Sequence, residues 1–349
     1  MIDLQKITVP KVVRWLVRHA MHVAFVGMLV YFAITTSDAR FGFPGRIMSP
    51  ENLLNILNQN FAYLVLGVGM TLVVVTGGID LSVGSVAALC GVVATTVMMR
   101  WMIPGGHSVG LGMFVGIVLA LAAGAGVGLV NGVMITRFRV PPFIATLAWF
   151  LIARGLAFKL CGARPVGNLP ASFTWLGQGQ VGPTLFHTVD GRAQQLWFPV
   201  LVAFLLAGAA HLLLQRTVFG RHVVSVGGNE EAARLSGIRV ARKKVAVYVV
   251  SGLLAAVCGI LLAARLQAGD PKVGSQPPLE LGAITAVVLG GAALTGGKGS
   301  IGGTVFGALF MGVLDNGLAL NGLQYFDQLV VKGAVLLAAV LFDQLKDRV

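Results

Sequence analysis

The sequence predicts an all-α fold, a polytopic bundle of transmembrane helices, on three observations. Of 349 residues, 56% are hydrophobic and only 11% are charged, whereas a soluble domain carries roughly 25% charged residues. So few charges cannot cover a water-soluble core. Glycine occurs 47 times with no collagen-like period, about twice ordinary usage, and glycine in apolar helices lets backbones approach closely inside lipid. The apolar residues also gather into stretches of the length that a bilayer-crossing helix needs.

Ten such stretches follow one another, at about 19–36, 58–76, 82–99, 109–135, 143–161, 196–214, 245–264, 281–297, 300–321 and 328–343. The first follows Lys6, Lys11, Arg14 and Arg18 and so has the flank of a signal peptide. Nine further spans come after it, which makes it an uncleaved first helix. The third and eighth are short and glycine-rich. Between spans lie turn-forming pairs: Pro44-Gly45, Pro104-Gly105, Pro141-Pro142 and Pro277-Pro278. In the fourth span Gly124, Gly128 and Gly132 recur every fourth residue, giving one face almost bare of side chains. Such a face packs either against a neighbouring helix of the same chain or against a second copy.

Charge orients the bundle. Ten spans place both termini on one side; with that side inside, sixteen of the 26 Lys and Arg residues fall there and nine outside, with Lys332 in the last span. This excess predicts cytoplasmic termini. The whole chain, 1–349, then reads as a single transmembrane domain with its longest outer loop at 162–195 and its longest inner loop at 215–244. The net charge of +13 fits inner loops facing anionic membrane lipid. No aromatic-interleaved basic stretch offers a groove to nucleic acid. Cys90, Cys161 and Cys258 have neither metal-site nor disulfide spacing and read as packing residues.

The inner loop carries the most information. Gly227-Gly228 interrupts the chain, Asn229 suits an N-cap, and Glu230 and Glu231 stand in a first turn where the helix dipole favours negative charge. Arg234 lies toward the far end and Gly237 suits the position just past it. Two turns do not hold alone in water. Such a helix docks on its own protein or on a partner; the alternative is a solvated connector between spans.

The stretch Asn229-Glu230-Glu231-Ala232-Ala233-Arg234-Leu235-Ser236-Gly237 resembles the coupling-helix loop of ABC transporter permeases of the ribose/galactose/xylose, or monosaccharide, import class. Other segments resemble that family in the same order. They are Gly69-Met70-Thr71-Leu72-Val73 leading into Thr76-Gly77-Gly78-Ile79-Asp80-Leu81-Ser82-Val83-Gly84-Ser85, Phe143-Ile144-Ala145-Thr146-Leu147, Ala286-Val287-Val288-Leu289-Gly290-Gly291, Gly296-Gly297-Lys298-Gly299 and Val331-Lys332-Gly333-Ala334-Val335. The matches are collinear from residue 52 onward. The resemblance implies partners: a cytoplasmic ABC ATPase docking at 229–237 through Glu230, Glu231 and Arg234, a periplasmic sugar-binding protein, and a second permease copy, as homodimer or related heterodimer. It also implies a bacterial inner-membrane location. ATP and Mg would be bound by the partner ATPase, with no cofactor in this chain. The nearest thing here to a P-loop is Gly297-Lys298, but Ala292 replaces its first glycine and Gly299 follows the lysine.

Polar residues within or beside spans give pathway or gate candidates: Asn60, Asp80, Ser82, Asn131, Phe143, Thr146, Asp315 and Asn316. Each also has a structural reading. Asp80 suits an N-cap of the third span, and the asparagines suit hydrogen bonds between helices. Arg154 lies well within the fifth span, where it either snorkels to the outer interface or pairs with an acid such as Asp315. The resembled family often has Asn-Asn where this chain has Asp315-Asn316. Trp175, Phe186, His187 and Trp197 in the outer loop read as lipid anchors or as contacts for a binding protein. An ion-coupled carrier would need ionisable relays inside spans, and acids are few at that depth. An intramembrane enzyme would need a convergent nucleophile–base or metal set, which is missing; a branched-chain amino acid permease of the same superfamily is the nearest rival.

Overall fold

The computed structural model describes residues 20–37, 42–102, 109–187, 193–275 and 277–346. The basic residues Lys6, Lys11, Arg14 and Arg18 and the Pro104-Gly105 turn lie outside the described residues. Each of the ten predicted spans is met by a helix. They are α1 (Ala20–Thr35), α2 (Pro50–Val75), α3 (Val83–Met102), α4 (Val109–Arg137), α5 (Pro142–Leu160), α7 (Phe198–Arg216), α10 (Val240–Leu266), α11 (Leu279–Leu289), α12 (Ile301–Leu320) and α13 (Tyr325–Lys346). Eight of them are long and apolar enough to cross a membrane; α1 and α11 are shorter. The protein is thus a multi-pass membrane protein. The predicted span at 281–297 needs correction: its helix has 11 residues and stops at Leu289, about 16 Å of rise, and 290–300 run as turns before α12.

The loops are more structured than predicted. The outer loop forms a short helix, α6 (Ala171–Gln178), and an antiparallel hairpin of β1 (Gln180–His187) with β2 (Ala193–Trp197), so the fold is not purely helical. Trp175 stacks on Phe198 with ring centroids 5.1 Å apart. The inner loop forms α8 (Val218–Gly228) and α9 (Glu230–Leu235). Gly227 and Gly228 therefore end a helix, where the sequence predicted a break in an irregular chain.

The chain divides into two compact units, 57–309 and 1–56 with 310–349. In the larger unit, α10 packs against α3, α4 and α6, and α3 packs against α4 and α5. The glycine face of α4 is what lets α10 in: a Cβ on Gly124 would meet Gly252 and Ala256, one on Gly128 the Tyr248 backbone, and one on Gly132 Val245. That face is filled within the chain and is not free for a second copy. In the smaller unit, Phe32 of α1 covers Gly317 of α12, and Asn321 donates to Thr35 Oγ1 at 3.0 Å. The side chain of Thr36, just past α1, accepts from the N–H of the fully buried Ile47 at 3.2 Å.

Candidate functional site

Two of the non-helical stretches in the larger unit lie among buried helices. Backbone polar groups at membrane depth must find partners within the protein, so each break reveals itself by what satisfies it.

The first break is 76–82, between α2 and α3. Asp80 is 2% exposed. Its Oδ1 accepts from the Ser82 N–H at 3.0 Å and from Ser82 Oγ at 2.5 Å; its Oδ2 accepts from Ser251 Oγ at 2.9 Å. Asn131 Nδ2 donates to Ser82 Oγ at 3.2 Å, and Thr146 Oγ1 donates to the Ile79 carbonyl at 3.3 Å. Four of the predicted pathway residues, Asp80, Ser82, Asn131 and Thr146, therefore form one buried network joining α3, α4, α5 and α10. Ser251 stands eleven residues into the 27-residue α10, about 16 Å along its axis. The predicted N-cap role shifts by a residue pair: Ser82 holds the capping position before Val83, and Asp80 holds Ser82.

The second break, 267–278 between α10 and α11, falls where the sequence predicts a loop with Pro277-Pro278; its contacts are what the sequence did not show. Here a guanidinium does the work of the carboxylate. Arg154 Nη1 donates to the carbonyls of Pro271 at 2.8 Å and Val273 at 2.5 Å. The acid named for it in the sequence, Asp315, pairs with Lys332 instead. Gly269 exchanges both backbone hydrogen bonds with Val166 of the outer loop, at 3.0 and 2.9 Å. Gly274 lies on the backbone of Gly84, the second residue of α3. The Glu280 side chain, 7% exposed, also rests on Gly84. So the starts of α3 and α11 meet inside the unit, each preceded by a break.

The inner loop reaches the first break directly. Asn229 Oδ1 accepts from the Ala232 N–H at 2.9 Å, capping α9, and Gly237 takes φ +83° just past its end, where glycine has no Cβ penalty. Ala233 anchors α9 in an apolar cluster with Val226, Val240 and Ile238. Lys244 pairs with Glu230 at 2.5 Å, and Arg234 with Glu230 at 3.8 Å and Glu231 at 3.6 Å. Leu235 is left 81% exposed, an apolar side chain held outward beside charges. On its other side the loop meets bare backbone: a Cβ on Gly227 would fall on the Val75 carbonyl. That same carbonyl, at the end of α2, accepts from the Gly297 N–H at 2.9 Å. Only glycine permits this approach.

The remaining predicted residues lie apart from the Asp80 network. Asn60 is buried on α2 among Val200, Ala203 and Val305. Phe143 is exposed at the start of α5. In the smaller unit Asp315 pairs with Lys332 at 2.8 Å, and Asn316 Oδ1 accepts from Asn52 Nδ2 at 2.8 Å.

Comparison with known proteins agrees with this architecture. A sequence model of the branched-chain amino acid transport system / permease component family matches residues 52–340. The chain belongs to this permease family. Its relatives include the ribose import permease protein of Escherichia coli K12, 39% identical over 93% of both chains, and that of Bacillus subtilis 168, 41% identical over 86% of both. The L-arabinose ABC transporter permease protein of Azospirillum brasilense is 38% identical over 91% of this chain and 87% of its own length.

Within this permease, local sequence pattern marked Asn229, Gly237 and Asp80 but not Arg154 as a backbone anchor, Glu280, or the Gly227–Val75 approach. The partners of Arg154 are 117 and 119 residues away, and no local spacing encodes them. A signal was present all the same: a lone arginine inside a span needs acceptors, and Pro277-Pro278 with Gly269 and Gly274 marks a chain that cannot be continuous helix.

Proposed function

We propose that this chain is the membrane-spanning permease subunit of an ABC importer that carries a monosaccharide or polyol across the bacterial inner membrane. The observation that carries this reading is identity of 38–41% to ribose and arabinose permeases across 86–93% of the chain. The xylose transport system permease protein of Haemophilus influenzae supports it at 33% identity over 93% of this chain. The family description names branched-chain amino acids, but these full-length relatives are permeases for pentoses, which favours a hydroxylated neutral cargo. The proposed topology has ten membrane segments, with α1 and α11 as the short ones, and both termini cytoplasmic. The chain acts as one translocation domain with 215–244 as its coupling loop.

On this reading α9 docks into a separate ATPase that binds ATP and Mg, with Glu231, Arg234 and the exposed Leu235 as contacts. A periplasmic sugar-binding protein delivers cargo at the outer loop, and a second permease copy completes the pair that two ATPases require. Movement of α9 passes through Gly227 to the end of α2 and so to Asp80. The network of Asp80, Ser82, Asn131 and Thr146 lies where a helix is broken inside the unit, as in other transporters whose cargo sites sit at broken helices. Asn60, Phe143, Asp315 and Asn316 are further pathway candidates.

Glu231→Lys tests the coupling assignment, since it reverses a charge at an exposed docking surface while leaving every span intact. Membrane insertion is expected at normal level, with loss of most copurifying ATPase and of sugar uptake in proteoliposomes. Normal copurification and uptake would remove α9 from the interface. Uptake of leucine in place of ribose, arabinose or xylose would replace the sugar with an amino acid.

A further inference from the structure

A cleft of about 570 Å³ opens beside the coupling loop, lined by Ile135, Arg139, Pro142, Arg234, Val240 and Lys244 among others, with Glu230 as its only carboxylate. It lies where α4 ends, α5 begins and α10 begins, so its mouth is level with the ends of three membrane-crossing helices. That is the level of lipid headgroups. Its two linings differ. Ile135, Val140, Pro141, Pro142, Val240 and Ala241 make an apolar wall continuous with the spans, and Arg139, Arg234 and Lys244 supply three cations against one acid.

The cations are not used up internally. Glu230 is shared between Lys244 and Arg234, and Arg139 takes part in none of the ion pairs among the described residues. Arg139 is also held in place. It has φ +56°, a conformation that costs a non-glycine residue energy, and the Val140 N–H beside it bonds the Met134 carbonyl at 3.1 Å. Its backbone is thereby fixed at the end of α4. An apolar wall beside the Arg139 guanidinium and two further cations matches an anionic phosphodiester on an acyl-bearing glycerol, because phosphate oxygens accept charge-assisted hydrogen bonds from guanidinium forks.

We infer that this cleft is a binding site for the headgroup of an anionic phospholipid, seated between the end of α4 and the coupling helix. The lipid would bridge α4 to α9 through Arg139 and Arg234 and so stiffen the base on which the coupling helix stands. The inference does not depend on the cargo. It shares Glu230 and Arg234 with the coupling reading, and the test therefore rests on Arg139, which that reading does not use.

The test is phosphatidylglycerol binding to the delipidated full-length chain in neutral detergent, followed as thermal stabilisation, with phosphatidylcholine and inorganic phosphate as comparison probes. Wild type is expected to be stabilised by phosphatidylglycerol and not by phosphatidylcholine. Arg139→Glu should raise the half-saturating lipid concentration about tenfold or more, as loss of one charged contact does. Arg216→Glu, outside the cleft, should leave it within about twofold, a sub-kilocalorie change that reports no lost contact. Equal loss in both variants would overturn the site in favour of a diffuse basic surface. Stabilisation by inorganic phosphate equal to that by the lipid would overturn the lipid as occupant. Unchanged lipid binding by Arg139→Glu, with loss of ATPase copurification, would assign the cleft to the ATPase instead.

Discussion

The two breaks in the larger unit solve one problem with opposite charges. At 76–82 a buried carboxylate gathers donors: Asp80 accepts from the Ser82 N–H, Ser82 Oγ and Ser251 Oγ. At 267–278 a guanidinium gathers acceptors: Arg154 donates to two carbonyls. Their surroundings differ too. The first break follows directly from Val75, whose carbonyl lies against Gly227 of the 215–244 loop. The second is tied by Gly269 to Val166 of the 162–195 loop. Each break thus joins a different loop, and the segments that follow them meet where Gly84 touches Gly274 and Glu280.

The comparison breaks most severely at Arg154. Arg154→Ala strands two carbonyls and is expected to cost about 3 kcal/mol, allowing for partial exposure of the side chain, read as a lower melting temperature in detergent. Arg154→Lys should recover only part of this, because both bonds leave the one nitrogen Nη1 and a flexible, strongly hydrated ammonium is less well held at that point. Full recovery would mean that charge alone holds the segment.

Asp80→Ala comes next. It leaves Ser82 and Ser251 without their shared acceptor, at about 2 kcal/mol, and is expected to abolish sugar uptake while ATPase copurification stays normal. Asp80→Asn keeps one acceptor oxygen and should retain part of the uptake. Equal uptake by both variants and wild type would make this break a structural detail.

Gly227→Ala sharpens the wiring. Its Cβ would land on the Val75 carbonyl, and the overpacking is expected to cost about 1–2 kcal/mol. Uptake per ATP hydrolysed should fall, with ATPase still bound. Gly228→Ala is the control, since a Cβ there meets nothing within 4 Å. Equal effects of the two would mean that bulk in the loop matters and the Val75 approach does not.

The mildest effect belongs to Asp315 and Lys332, whose pairing is complete at 2.8 Å but partly exposed. A double-mutant cycle with Asp315→Asn and Lys332→Met is expected to give a coupling of about 1 kcal/mol.

Much of this molecule was legible in its sequence because the bilayer imposes a one-dimensional signal. Span positions followed from run length, and the glycine face of α4 predicted a close helix neighbour, which α10 supplies. The short helix α9 was legible from its caps, since Asn229 and Gly237 act on residues within four positions of themselves. Asp80 was legible as a residue of interest because an acid at that depth is costly. What could not be read were contacts set by tertiary folding. Arg154 had two readings, snorkelling and pairing with an acid such as Asp315, and its hydrogen-bond partners are instead carbonyls of a segment that the sequence made part of a loop. Asp315 likewise found Lys332, one helix on. The 281–297 span failed for a related reason: 290–299 is apolar enough to pass as membrane helix, yet Gly290, Gly291, Gly296 and Gly297 turn it where α2 and α8 end.

The most direct test of the account is to solubilise the chain from its native membrane, capture it, and assay copurifying ATP hydrolysis with candidate sugars and the periplasmic fraction added. The account predicts a stoichiometric ATPase whose rate rises when a pentose and its periplasmic binding protein are both present. A chain that purifies without an ATPase, and that drives ion-dependent sugar uptake alone in vesicles, would contradict it.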